Sequence, residues 1–420
     1  MVAGGRNSSG LHNRNVAPRA GLRPHKLDFS YATAAAFLTD KAAEGYNSIA
    51  AEDGDLYYDT TDTCWKYHDG TAWRQMGHQS VLLSTNVRVN ERTDDDVTFT
   101  LSAGSEGAFT ASGLEGVGTI TIQGAWTEAT GITGASSGTA GAGSSSTTLN
   151  KPAAASNWVA GALRGKFLVI SSGGGSGAVR PIITNTTGAV TVHAITGMDA
   201  TSVFEIADPG TTFSTITIDR CTPAIKFIAC EVTRVLVTDS TEVQFNGLSC
   251  DDSNAAGSIL VERGGKFTLD DSLLEGAASL IVNQAQQVHT EDTVLDTGTV
   301  KYVGCNKVTT EIDAADAAST PILFQRCPEV NCGAASSDNT GSGVQAEGCN
   351  YFTPSGTGLT GSGNSAYGLY LAGGGYYEAT GATITGDTND FFLSRSADTW
   401  ANLATDESFG DLGTSIVIVT

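Results

Sequence analysis

Long apolar runs are missing from this sequence. No stretch approaches the ~18 consecutive apolar residues of a membrane-spanning helix, and the opening "MVAGGRNSSG" lacks the apolar centre of a secretory leader. A chain made in a cytoplasm, with no membrane insertion, is expected. Helical periodicity is equally scarce. No convincing helical run exceeds about a dozen residues, the best being "YATAAAFLTDKAAEG" at 31–45. The eight cysteines contain no CxxC pair and no Cys/His cluster at zinc-finger spacing, so no metal framework is expected. A disulfide scaffold does not suit a cytosolic product of this length, which leaves the thiols as small buried apolar groups. The six histidines make no triad-like grouping with serine or cysteine. "GAGSSS" and "SSGGGSG" are not followed by Lys-Ser/Thr, so they are not phosphate loops. Asp53, Asp55, Asp59 and Asp62 lack the glycine and closing glutamate of a calcium loop and read as turn caps. No cofactor and no metal are expected.

Basic residues are also short: 23 Lys and Arg stand against 45 Asp and Glu, for a net charge of −22. Five of the bases, Arg6, Arg14, Arg19, Arg23 and Lys26, fall in the first 27 residues, which hold no acid, leaving −27 on the rest. An acidic body repels nucleic acid and anionic membranes, so nucleic acid is excluded as its partner. The basic arm is either a solvated tail or a peg that orders in an acidic socket on a partner.

What is plentiful is glycine, at 51 positions, with abundant Thr and Ser, a composition of short strands joined by turns. The strands repeat. Cys305, Cys327 and Cys349 are spaced 22 and 22 residues apart, inside "KYVGCNKV", "LFQRCPEV" and "QAEGCNYF". Tyr302, Phe324 and Ala346 precede them by three, and Val308, Val330 and Phe352 follow by three. Extended backwards, the register takes in Phe227, Phe245, Phe267 and Val288, and forwards Tyr377, with one anomalous 14-residue step from Val288 to Tyr302. A repeat in the low twenties made of strand-like runs marks a β-solenoid. Coils stacked ~4.8 Å apart put equivalent inward residues in columns of like side chains. The expected fold is therefore all-β, a right-handed parallel β-helix. Gly304, Gly348 and Pro328 beside the cysteines place that column at a corner. "GTITIQG" (118–124) and "STITIDR" (214–220) read as two coils interrupted by a linker, "TGITGASSGTAGAGSSSTT" (130–148), and by a small inserted β domain within 165–206.

The stretch "GDLYYDTTDTCWKYHDGTAWRQMG" (54–77) holds two of the five tryptophans and reads as an aromatic hairpin built on Tyr57, Trp65, Tyr67 and Trp73. It resembles the hairpin recurring in bacteriophage tail fibres, tailspikes and related virion proteins, Cys64 standing where that hairpin carries a polar residue. The resemblance covers about 25 residues of the chain. It implies a virion protein, assembled on the particle, that is a parallel homotrimer docked through its N-terminus on phage tail or portal/adaptor proteins. Its solenoid would face a host surface glycan or protein. The organisation expected is a basic particle-anchoring arm (1–50), the hairpin module (51–80), the start of the β-helix (81–129), a linker with the inserted β domain (130–212), the main β-helix (213–390) and a C-terminal cap (391–420). The alternatives are a glycan depolymerase tailspike on the same scaffold, or a head or collar decoration fibre with no receptor role.

Cleavage of a glycan needs two carboxyl groups ~5–9.5 Å apart. The register aligns Asp270 with Glu291 and Asp271 with Asp292, with His289, Glu275, Asp251 and Asp252 nearby. Solvated turn residues are the competing reading in a chain with 45 acids, and catalysis is not favoured. For receptor contact, Tyr367 and Tyr370 in the last coils are candidates, since tyrosine stacks well on sugars.

Overall fold

The structure is a computed structural model. It describes residues 80–90, 92–251, 258–296, 298–315, 322–333 and 343–354 continuously, with shorter strand segments elsewhere, some as backbone alone. The chain divides into two compact units, 1–81 and 82–420.

In the first unit, strands Leu56–Asp59, Cys64–His68 and Trp73–Gln75 form an antiparallel meander, with Ser30–Tyr31 added in parallel. Its register sets Tyr58, rather than Tyr57, opposite Trp65. The five basic residues Arg6, Arg14, Arg19, Arg23 and Lys26 lie outside the described residues, as does the 31–45 window apart from Tyr31 and Ala36.

The second unit is a parallel β-solenoid of about 11 turns. Each turn runs along three walls. On the first, Val97–Thr100 is followed rung by rung by 119–123, 224–228, 242–246, 266–270 and 287–291, then by 307–310, 329–332 and 351–354. The third wall stacks 215–219, 235–238, 259–262, 280–283, 300–303, 322–325, 344–347 and 369–372. Alternation puts every second residue inside. The core is therefore three kinds of column, and this corrects the single ladder expected from the sequence. Phe267 belongs to the column Val243–Phe267–Val288–Val308–Val330–Phe352, and Phe245 to Phe227–Phe245–Leu269–Thr290–Thr310–Cys332. Tyr302 and Phe324 sit on the third wall, between Val282 and Ala346. The anomalous step was a jump between walls, because Val288 is followed on its own wall by Val308 and Val282 by Tyr302.

One corner explains the cysteines. Arg220, Asp239, Arg263, Gln284, Gly304, Arg326, Gly348 and Gly373 all have positive φ, between 48° and 63°. Each ends a third-wall strand, and the amides of Gly304, Arg326 and Gly348 donate to the next rung's Gln325, Glu347 and Ala372 carbonyls. A left-handed residue bends the chain while keeping the ladder bonded, and it turns the following side chain inward. That inward position is occupied by Cys221, Ser240, Gly264, Ala285, Cys305, Cys327 and Cys349 on successive equivalent corners, all buried. The thiols are free.

The strands Thr119–Gln123 and Thr211–Asp219 are not two coils. The first lies on wall one and the second on walls two and three of a single turn. Everything between them is an excursion from one corner, forming a seven-stranded antiparallel sheet. Within it the Gly/Ala/Ser run is no tether: Ser137–Thr139 pairs with Val203–Glu205, and Thr148–Asn150 with Ala189–Thr191. Trp158, Phe204, Ile206, Leu168 and Ile170 anchor its own core, the Trp158 indole donating to the Ala135 carbonyl at 2.8 Å.

Candidate functional site

The excursion folds back against the second wall. There the solenoid shows two outward apolar side chains, Leu273 and Val294, and both are buried under Phe167, with Trp126, Val179 and Ile183 packed around them. The Trp126 and Phe167 rings lie 5.0 Å apart. Gly247, at φ +67°, passes under Trp126, where a Cβ would come within 2.9 Å of the indole; glycine meets both demands.

Beside this patch lie the two acidic pairs predicted from the register. Asp270 and Glu291 are direct partners on adjacent rungs of wall one. Asp271 and Asp292 follow them at a second left-handed corner, φ 50° and 49°. The inserted sheet closes on this second pair. Arg180 Nη1 is 2.7 Å from Asp271 Oδ1, and its Nε is 2.9 Å from Asp292 Oδ2. His193 Nδ1 approaches Asp292 Oδ1 at 3.3 Å, with the Glu311 carboxylate within 4.8 Å of both. Asn246 donates to Asp271 Oδ2 at 3.2 Å. Further along, Arg164 lies 3.5 Å from Asp296 and donates to the Leu295 carbonyl, and Ser249 donates to Glu275 at 2.7 Å. Burial pushes the Asp271 carboxyl up to about 7 against the opposing pull of Arg180. Asp271 and Asp292 therefore fasten the inserted sheet, and their oxygens face a guanidinium instead of open solvent.

The other pair holds an imidazole. His289 Nε2 is 3.0 Å from Glu291 Oε2 and 3.7 Å from Asp270 Oδ1. Burial pushes the Asp270 carboxyl up to about 6, His289 opposing and Glu291 and Asp292 adding to the rise. A raised acid beside a second carboxylate is the electrostatic pattern of a glycosidase. Here, however, the facing oxygens lie within 4.8 Å of each other with His289 between them, filling the gap that a glycosidic oxygen would need. The arrangement suits holding a cation or a proton better than cleaving a sugar.

Asp251 is placed by its backbone alone and Asp252 lies outside the described residues. Tyr370 pairs with Gln345 on the third wall, half-buried in the outward row and apart from the acidic group. Tyr367 begins the same strand and is described by its backbone alone. A cleft of about 570 Å³ is lined by Asn86 and 98–106, away from all these residues. Arg180, His193 and Arg164 were not anticipated. Their one sequence signal lies in their partners: "SLLEG" and "TVLDT" put two large apolar residues side by side where alternation calls for a polar one.

No family model and no curated protein matches this chain. Among solved structures, it is similar to the Gp54 tailspike of Acinetobacter baumannii bacteriophage AP22, solved in complex with A. baumannii capsular saccharide. The identity is 8% over 72% of this chain and 74% of that one, with a TM-score of 0.23. The tailspike protein gp49 from Pseudomonas phage LKA1 is similar at 11% identity, over 73% and 72% of the two chains, with a TM-score of 0.19. Tailspike gp61 of Pseudomonas phage phi297 gives 14%, 74%, 62% and 0.22.

Proposed function

We infer that this chain is a structural bacteriophage virion protein, a tail fibre or spike whose solenoid recognises the host surface. The observation that carries the reading is the pairing of two features in one chain. A phage-type aromatic hairpin precedes a parallel solenoid with a folded β domain fastened to its wall. A solenoid offers long rows of identically oriented side chains on rigid rungs, which suits recognition of an extended surface polymer. Host surface glycan or protein is the proposed ligand, and Tyr370 on the outward third wall is the proposed contact.

The outward row of that wall also supports self-association. Leu236, Leu260, Ile281 and Leu323 follow one another on successive rungs, broken by Lys301, and are partly exposed. Two further copies of the chain would cover such a row in a homotrimer. The basic arm, with Arg6, Arg14, Arg19, Arg23 and Lys26, is assigned to docking on tail or portal/adaptor proteins.

Antibody-gold labelling of purified particles tests the location. Label on the tail supports a fibre or spike, and label on the head or collar overturns it in favour of a decoration fibre. Fluorescent full-length protein should bind host cells, and Tyr370→Ala should bind several-fold more weakly. Incubation with host polysaccharide should leave it intact; new reducing ends or unsaturated products would replace recognition alone with depolymerisation. Loss of residues 1–27 should abolish incorporation into particles while cell binding persists.

A further inference from the structure

We propose that Asp270, His289 and Glu291 form a binding site for one divalent transition-metal ion of the zinc class on the outer first wall of the solenoid. The three ligand atoms, Asp270 Oδ1, His289 Nε2 and Glu291 Oε2, lie within 4.8 Å of one another. Two of the separations are 3.0 and 3.7 Å. Ligands at ~2.0–2.2 Å around a tetrahedral zinc stand about 3.3 Å apart, between those two values. Those two separations need shifts of only a few tenths of an ångström to close on an ion, and the third, between the two carboxylate oxygens, lies within 4.8 Å.

The backbone fixes this arrangement in advance. Asp270 and Glu291 are register partners, and His289 is two residues before Glu291 on the same strand, so all three face outward together. A second observation points to a missing ligand at the same spot. Thr268, the register partner of His289 and two residues before Asp270, is 6% exposed, and its Oγ1 finds no hydrogen-bond partner among the described residues. Asp270 Oδ1 is likewise buried with no hydrogen bond among them. Buried polar atoms in this state are rare, and a bound ion with its water would satisfy both.

Charge is in surplus as well. Of the neighbouring carboxylates, Asp271 and Asp292 are taken by Arg180, and Lys266 is drawn to Glu242 at 2.9 Å. Among the described residues the ion-pair partner of Asp270 and Glu291 is His289, Lys266 acting on Asp270 from farther off. A mixed set of one imidazole nitrogen and two carboxylate oxygens selects Zn²⁺, Co²⁺ or Mn²⁺ over Mg²⁺ and Ca²⁺, which favour oxygen alone. Three protein ligands leave a fourth position for water or for an oxygen of a bound molecule. The cluster His193, Asp292 and Glu311 is the weaker candidate, because Arg180 already sits on the other oxygen of Asp292.

The test uses the full chain after removal of metals with EDTA, titrated calorimetrically with Zn²⁺ and separately with Ca²⁺. One Zn²⁺ per chain is expected, with Ca²⁺ at least 100-fold weaker. His289→Ala should weaken Zn²⁺ by at least 30-fold and Asp270→Asn by at least 10-fold, while His193→Ala leaves it unchanged. Added Co²⁺ should give the intense visible bands of a tetrahedral site in the unaltered protein and lose them in His289→Ala. His289 and Glu291 are 37% and 53% exposed, so the melting curve in EDTA should be the same with and without the substitution. Equal Zn²⁺ affinity in His289→Ala and the unaltered chain would overturn the proposal. So would loss of binding in His193→Ala, or absence of the Co²⁺ bands from the unaltered protein.

Discussion

Asp271 and Asp292 occupy the same left-handed corner on consecutive rungs, at φ 50° and 49°, and a single guanidinium from the inserted sheet bridges them. Two stacked carboxylates repel each other, and the stack is stable only while Arg180 lies between them and the apolar patch over Leu273 and Val294 excludes water. The side chains of Arg180, Asp271 and Asp292 are 21%, 12% and 16% exposed, so the removal of Arg180 leaves two poorly solvated carboxyl groups, of which Asp271, already pushed up to about 7 by burial, sheds its charge by taking up a proton. Arg180→Ala should cost about 3 kcal/mol, the range found for breaking a buried ion pair. The measurement is hydrogen exchange: protection should fall in Phe167–Ser172 and Val179–Asn185 while wall-one strands such as Val97–Thr100 keep theirs. Unchanged protection in the inserted sheet would show that the apolar patch alone holds it.

The cysteine corner makes a chemical prediction. Seven described cysteines, from Cys221 to Cys349, are buried and in no disulfide. Burial pushes the Cys230 thiol up to about 12, so its thiolate is scarce at any pH at which the fold survives. Cys327 is also raised, to about 11, between hydrogen-bonding thiols on either side. The hydrogen bond with Cys327 pulls the Cys349 thiol down instead, so its protection rests on burial alone. All seven should resist a thiol reagent at pH 8 in the native protein and react at once in guanidinium. Fast native reaction at Cys305, Cys327 or Cys349, located by peptide mapping, would mean that the corner opens.

Much of the solenoid could be read from residue spacing because stacking repeats the chemistry. The 22-residue interval of the cysteines reports one corner that recurs on every rung. Wall assignment was less legible. Val288 and Tyr302 are both large inward residues, and nothing in a linear sequence says that they belong to different walls; only the hydrogen-bonded register separates them. The pairing of Asp270 with Glu291 came from the repeat. Its chemistry did not, because Arg180 and His193 arrive from an excursion about a hundred residues upstream, beyond the reach of any periodic argument. The same limit hid the folded character of 130–148, where a composition usual for a tether is held by strand pairing to Val203–Glu205 and Ala189–Thr191.

Corner geometry predicts an asymmetry between equivalent residues. Gly348 and Arg326 hold the same position on neighbouring rungs, at φ 63° and 55°. A Cβ on Gly348 would meet nothing nearer than Arg326 Cγ at 3.7 Å, so any penalty there is backbone strain and not a clash. Gly348→Val should destabilise by about 1–2 kcal/mol. Arg326→Gly should change stability by less than about 1 kcal/mol, since relief of strain is offset by a freer unfolded chain. Denaturant midpoints measure both. Equal and large losses for the two would show that the Arg326 side chain, and not the turn, matters at this corner.

A polar cluster inside the solenoid gives a sharp test of packing. In the column that begins Phe227–Phe245–Leu269, the next two rungs carry Thr290 and Thr310, and the Tyr302 hydroxyl reaches across from the third wall to both, at 2.9 and 3.2 Å. All three side chains are buried. Burial pushes the Tyr302 phenol up, with the threonine hydrogen bonds opposing, so the hydroxyl stays protonated. Tyr302→Phe leaves the two threonines bonded to each other and should cost about 1 kcal/mol. Thr290→Val alone strands part of the hydrogen-bonding capacity of Tyr302 and Thr310 and should cost about 1–3 kcal/mol. Replacing all three at once, with Phe, Val and Val, removes every polar atom and should recover to within about 1 kcal/mol of the starting protein. The triple substitution should therefore be less damaging than the sum of the single ones, as measured by denaturant midpoint. Additive losses would mean that the shapes of these side chains, and not their hydroxyls, hold the column together.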